Sequence, residues 1–272
     1  MGEGCFGYGR NMPASVPDTV YRTDIAPAAA LMADRTRATM LTALLDGRAL
    51  AAGELAQLAG VSPATASAHL ARLLDGGLVA RTRQGRHHYY RLEGHEVAAA
   101  MEALSHLGRP VPVRTLHQSR EAAALAEART CYDHLAGRAG VALHEALLAG
   151  GVLAMAPGGT RVKEATAGLA AAGEPATMSA GAEYVVTEAG AAVLSEFGLD
   201  VPAIRRSRRR FAGSCLDWTQ RRPHLNGALG AAITARLLDL GWIERGPHRR
   251  AIRVSPEGRE GLAKTFGWAA GD

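Results

Sequence analysis

The stretch from Gly53 to Arg91, GELAQLAGVSPATASAHLARLLDGGLVARTRQGRHHYYR, restricts the fold of this chain more than any other. Glu54 to Ala59 is about one and a half turns of helix, and Gly60-Val61 makes a tight turn. Ser62 is placed to cap a second helix, with Pro63 at its first position, where a missing N–H costs nothing. From Ala64 to Leu74 the residues Ala66, Leu70, Leu73 and Leu74 recur at helical spacing and are expected to be buried. Gly76-Gly77 stops that helix. Leu78–Arg81 and His88–Leu92 then read as two short strands joined by a turn.

The outer face of the second helix is small or hydrogen-bonding, which lets a helix lie close to base edges in a major groove. The hairpin carries Arg81, Arg83, Arg86 and Arg91 with no acidic residue among them, as contact with phosphates requires. The expected DNA contacts are Gln57, Ser62, Thr65, Ser67, His69 and Arg72 from the helices, with Arg81, Arg83, Arg86 and His88 from the hairpin. VSPATASAHLARLLDGGLV followed by QGRHHYYRL resembles the winged helix-turn-helix of the ArsR/SmtB regulators, over roughly Ile25 to Leu107. That resemblance implies a winged DNA-binding domain whose first and last helices pair across a two-fold axis, so that two recognition helices read a palindrome.

Ile25 to Leu45 reads as the first helix, with Leu31, Met32, Leu41, Leu44 and Leu45 apolar and Arg35 and Arg37 on the opposite face. His95 to Leu107 reads as the last, and Val97, Met101, Leu104 and Leu107 form the stripe expected at the dimer interface. Relatives that sense metals use cysteines on the first helix of the helix-turn-helix, and Glu54–Ala59 has none. They also use Asp/His/His/Glu sets on the terminal helices. Glu93, His95 and His106 approach that spacing, but Arg109 would repel a cation at the fourth position.

With 272 residues and 47% hydrophobic content, the chain can bury more than one core. Net charge is +5, which suits a nucleic-acid partner. Met1 to Arg22 is rich in Gly and Pro without hydrophobic period and is expected to be a disordered tail (1–22). There is no membrane-length apolar run and no secretion signal, so no membrane partner and a cytoplasmic location are expected. Three cysteines, Cys5, Cys131 and Cys215, cannot form a disulfide scaffold.

The DNA-binding and dimerisation domain is expected to span 23–109. Arg109-Pro110-Val111-Pro112-Val113 opens a linker over 110–118. In the domain over 119–272, Ser119 to Gly137 reads as a helix. Leu73–Val79 recurs as Leu147–Leu153 and Leu237–Ile243, each a helix end, a glycine stop and a strand, with Thr187 and Ser255 placed to cap the helices that close the two later units. The expected fold is therefore mainly α with small β wings (α+β): an N-terminal winged helix-turn-helix followed by winged-helix-like units. The cationic run Arg205–Arg210 reads as a solvated helix face, and Arg245, His248, Arg249, Arg250 and Arg253 lie on the third wing.

Two blocks, RTCYDHLAG and SCLDWTQRRPHL, resemble parts of a longer ArsR-like subgroup with this added half, and the resemblance supplies no effector. Cys131, His134, Cys215, Asp217 and His224 could form a soft N/S/O site for Zn²⁺ or a similar ion. The alternatives are plain core packing, a Cys131/Cys215 redox pair, and an organic effector in a pocket lined by Trp218 and Trp242. No cofactor beyond that ion is expected. The chain lacks a Gly-rich phosphate loop, a nucleophile elbow and a His-Glu-x-x-His pair, so no enzyme is expected. The opposing alternative is a thiol- or metal-dependent enzyme using Cys215 and His224, with the winged helix as a protein-contact module. The expected function is a homodimeric repressor on double-stranded DNA, released from a palindromic operator by an effector or by a thiol or metal signal sensed in the C-terminal half.

Overall fold

The computed structural model describes residues 23–108, 111–157 and 181–269. The expected tail at 1–22, Arg109-Pro110 and most of the Ala/Gly-rich insertion lie outside them. Where one N-terminal helix was expected there are two, α1 (Ala26–Ala33) and α2 (Arg35–Ala43), followed by a 3-10 turn at Leu44–Asp46. Asp34 makes the break: its backbone is extended and its carboxylate accepts from the Arg37 N–H at 2.9 Å, capping α2. Arg37 does not face solvent. It turns back to donate to the carbonyls of Leu31 (2.7 Å) and Ala30 (2.9 Å), satisfying the C-terminal carbonyls of α1.

Next come β1 (Leu50–Ala51), α3 (Ala52–Ala59), α4 (Pro63–Asp75), the hairpin strands β2 (Val79–Gln84) and β3 (His87–Leu92), and α5 (His95–Leu107). Strand β3 lies between β1 and β2, with Leu50 opposite Tyr90 and Val79 opposite Leu92. Met40, Leu41, Leu44, Leu55, Leu70, Leu73 and Leu92 close one core with Ala66. This is the winged helix-turn-helix expected from the sequence.

In the second half, α6 (Leu116–Glu127) ends before the residues expected to prolong it. Arg129–Cys131 (β4) and His134–Ala136 (β5) form a hairpin instead. The chain continues through α7 (Gly137–Ala149), β6 (Leu153–Met155), β7 (Tyr184–Val186), α8 (Glu188–Glu196) and α9 (Val201–Arg205). A matching series follows: β8 (Gly213–Leu216), β9 (Pro223–Asn226), α10 (Gly227–Asp239), β10 (Ile243–Arg245), β11 (Ile252–Val254) and α11 (Pro256–Phe266). Two units of hairpin, helix, hairpin, helix thus share one core, built on Leu147, Leu194, Leu229, Leu237 and Leu262.

The two units correspond in detail. Gly137 and Gly227 open α7 and α10 with φ of 75° and 85°. Thr187 and Ser255 cap α8 and α11 by accepting from Gly190 and Gly258. The step before α7 and α10 is a β-hairpin, so neither unit repeats the direct helix-turn-helix of the N-terminal domain. Among the described residues, no helix is long and apolar enough to cross a membrane.

Candidate nucleic-acid interface and a buried cysteine–histidine cluster

The turn between α3 and α4 is fixed by Gly60 at φ 65°, where a side chain would be strained. Ser62 then caps α4, its Oγ accepting from the Thr65 N–H at 3.2 Å and lying 2.9 Å from the Thr65 hydroxyl. Ser67 donates to the Pro63 carbonyl at 2.9 Å. With Ala66, Leu70 and Leu73 buried, Gln57, Ser62, Thr65, Ser67, Ala68 and Arg72 are left exposed on a face of small and polar side chains. His69 differs from these. It is half-buried, with Nδ1 3.5 Å from the Asp34 carboxylate, and so belongs as much to the seam with α1 and α2 as to the outer face.

Arg81, Arg83, Arg86 and Arg91 are all exposed on the hairpin, and no acidic residue occurs between Asp75 and Glu93. Arg83 donates to the Gly85 carbonyl at 3.0 Å, holding the tip of the wing, and half-buried His88 lies opposite Arg83. The stripe expected at a dimer interface is split. Met101 is buried in its own domain's core and Val97 packs on it, whereas Leu104 and Leu107 are 46% and 82% exposed.

In the second half, β4–β5 and β8–β9 each set a cysteine opposite a histidine: Cys131 faces His134 and Cys215 faces His224. The sequence reads Ser119 to Gly137, and with it Cys131 and His134, as one helix, but hairpin register is what pairs them. The two pairs meet. The Cys131 and Cys215 sulfurs are 4.0 Å apart, the His134 and His224 rings stack at 5.1 Å, and one potential ligand atom from each residue lies within 4.8 Å of the others. His134 Nδ1 is 3.3 Å from Asp133, itself held by Arg209, while His134 Nε2 and both His224 nitrogens are buried without partners. Burial holds the His224 ring well below its ordinary titration range. The contact with Cys215, reinforced by burial, pushes the Cys131 thiol well above its own, the reverse of what a thiolate nucleophile needs.

Asp217, grouped with these residues in the sequence, is not in the cluster. It accepts from Gly137 N (2.6 Å), Thr219 N (2.8 Å) and Gln220 N (2.9 Å) and pairs with buried Arg129 at 2.9 Å. Burial works to raise its carboxyl, but Arg129, Thr219 and the backbone donors outweigh that and hold it well below the usual carboxylate range. Asp217 thus ties the second unit to the start of α7 in the first. Trp218 lies over the Arg129 guanidinium and Trp242 packs on Phe197, so the two tryptophans face different partners instead of lining one pocket.

The cationic run is solvated only in part: Arg205, Arg206 and Arg208 are exposed, whereas Arg209 and Arg210 are half-buried. Arg205 stacks on Phe211, Arg209 pairs with Asp133, and Arg210 donates to the Gly181 and Ala182 carbonyls. On the third wing, Arg250 reaches the Thr130 carbonyl and Glu102 of α5, and Arg249 approaches Asp46 at 3.9 Å. These two arginines join the halves of the molecule.

Residues 32–82 match the family model described as a helix-turn-helix domain. Over 241 residues the chain is 38% identical to an uncharacterized HTH-type transcriptional regulator of Bacillus subtilis, YdfF, covering 89% of this chain and 96% of that one. The chain belongs to the HTH-type (helix-turn-helix) transcriptional regulators. Solved structures similar to it include HlyU from Vibrio cholerae (34% identity, 30% of this chain and 88% of that one, TM-score 0.29). Another is the homodimeric winged helix-turn-helix DNA-binding domain of Mb0332 from Mycobacterium bovis (32% identity, 30% and 76%, TM-score 0.29). In this regulator the family model falls on the DNA-facing half, whereas the similarity to YdfF runs on through most of the second half. The sequence held a further sign of the duplicated cluster: His134-Leu-Ala-Gly137-x-x-Gly140 recurs as His224-Leu-Asn-Gly227-x-x-Gly230, each copy preceded by a cysteine.

Proposed function

We propose that this DNA-binding regulator is a cytoplasmic homodimeric repressor that reads a palindromic operator with α4 and the β2–β3 wing, and that a signal received in the C-terminal half releases it. The observation that carries the reading is the exposed α4 face of Thr65, Ser67 and Arg72, set beside a wing with four arginines and no acid. The helix supplies groups for base edges and the wing supplies phosphate contacts. Exposed Leu104 and Leu107 at the end of α5 favour pairing of that helix with a second copy.

The test is fluorescence anisotropy on DNA from upstream of the regulator's own gene, across a salt series. Arg86→Ala is expected to weaken binding to all sequences alike and to lower the salt slope by about 1, whereas Thr65→Ala relaxes base preference, at a cost of about 1–3 kcal/mol on the specific site. Equal losses on specific and random DNA for Thr65→Ala would show that α4 is not the reader.

A further inference from the structure

We propose that Cys131, His134, Cys215 and His224 are the four ligands of one zinc(II)-class ion. The site stands apart from the DNA-binding reading, and so does its test. Soft thiolate with imidazole in a four-ligand set suits Zn²⁺ and excludes hard cations such as Mg²⁺ and Ca²⁺, which take oxygen. Tetrahedral zinc with bonds of about 2.0–2.3 Å sets its ligand atoms a little under ~4 Å apart. The Cys131–Cys215 sulfur separation of 4.0 Å and the 4.8 Å limit on the whole set are within a small contraction of that.

The histidines are the second observation. A buried polar atom without a partner costs about 1–3 kcal/mol, and this cluster gathers three such nitrogens, His134 Nε2 and both of His224. A disulfide between the cysteines would leave all three unpartnered, whereas an ion takes one nitrogen from each ring. His134 is already oriented for this: Asp133 engages Nδ1 and leaves Nε2 for the metal, the carboxylate–histidine–metal arrangement of zinc sites. Arg209 in turn holds Asp133.

Each structural unit contributes one cysteine and one histidine from directly opposed positions of its hairpin, so the ion would clamp the two units together. All four positions come from the protein, which leaves none for substrate and marks the site as structural or regulatory. On binding, each ligating thiol gives its proton to solvent, and no group changes oxidation state.

The test uses the full chain, reduced, stripped with a chelator and titrated with Co²⁺. The expected result is one Co²⁺ per chain with tetrahedral ligand-field absorption and a thiolate-to-cobalt charge-transfer band, both abolished by one equivalent of Zn²⁺. Cys131→Ser and His224→Gln should each lower affinity by more than about 100-fold, and Asp133→Asn by about 10–100-fold, the range for outer-shell partners. Because the ligand variants replace buried groups, far-UV circular dichroism accompanies each one, and X-ray absorption of the zinc-loaded wild type reads the ligand shell directly, with two sulfurs and two nitrogens expected. A folded wild type that shows no charge-transfer band, or a band unchanged in natively folded Cys131→Ser and His224→Gln, would overturn the site. So would a native mass lacking the two thiol hydrogens with no metal bound.

Discussion

Arg129 and Asp217 are both fully buried, and their pairing is worth keeping only because every oxygen of Asp217 is also hydrogen-bonded. Replacing Asp217 by Ala leaves a buried guanidinium without its anion and the first N–H of α7 without its acceptor. Urea unfolding should register a loss of about 3–5 kcal/mol. His144 gives a pH signature. Burial lowers its titration from 6.5 to about 4, so between those values the unfolded chain binds a proton that the native chain does not. The stability from holding His144 neutral is fully present above pH 6.5 and is lost as pH falls toward about 4. His224, also lowered by burial, acts in the same direction. His144→Leu should therefore flatten the stability–pH slope between about 6.5 and 4 by up to about 1.4 kcal/mol per pH unit. An unchanged slope would mean that His144 is charged in the native protein.

At the level of elements, the glycines after the caps let each hairpin lie directly on its closing helix. A Cβ on Gly190 would come 2.1 Å from the Val152 carbonyl oxygen, and one on Gly258 1.9 Å from that of Trp242. Gly258→Ala should cost about 1–3 kcal/mol by overpacking, read by thermal unfolding. Gly53→Ala, inside α3 with nothing within 4 Å of its Cβ, should be neutral or stabilising by up to about 1 kcal/mol. The same contrast explains what the sequence revealed. Ser62-Pro63, Gly60 and the spacing of Ala66, Leu70 and Leu73 are local signals, and α3, α4 and the wing are where they place them. The β4–β5 hairpin has no such signal: Tyr132 carries a φ of 60° that Gly or Asn would ordinarily mark, and Leu125 to Leu135 passes for a helix face. Asp217 was misplaced for a related reason. Its partners Arg129 and Gly137 lie 88 and 80 residues away, and only the folded chain brings them together. The cysteine–histidine set itself was visible from residue type, but its geometry was not.

In the whole molecule, the cluster is one residue from the DNA-binding half. Tyr132, at the tip of the β4–β5 hairpin between Cys131 and His134, packs on the N-terminal core, and a Cβ on Gly47 would meet its carbonyl oxygen at 3.1 Å. Beside it, Arg250 bridges the Thr130 carbonyl to Glu102 of α5, the helix whose free end carries Leu104 and Leu107. Drawing Cys131 and His134 onto an ion would shift this tip and, through Arg250, the pose of α5. Since α5 sets the spacing of two α4 helices in the proposed dimer, the coupling should appear as DNA affinity. Couplings of this kind run to about 1–3 kcal/mol, or about 5–150-fold, so the operator Kd of the wild type should differ by a factor in that range between zinc-loaded and stripped protein. Arg250→Ala should retain the Co²⁺ charge-transfer band while shrinking the ratio of loaded to stripped Kd toward unity. If Arg250→Ala binds cobalt normally and keeps the full ratio, the signal does not pass through the Glu102–Arg250–Thr130 bridge, and the packing of Tyr132 on the N-terminal core beside Gly47 is the next link to vary.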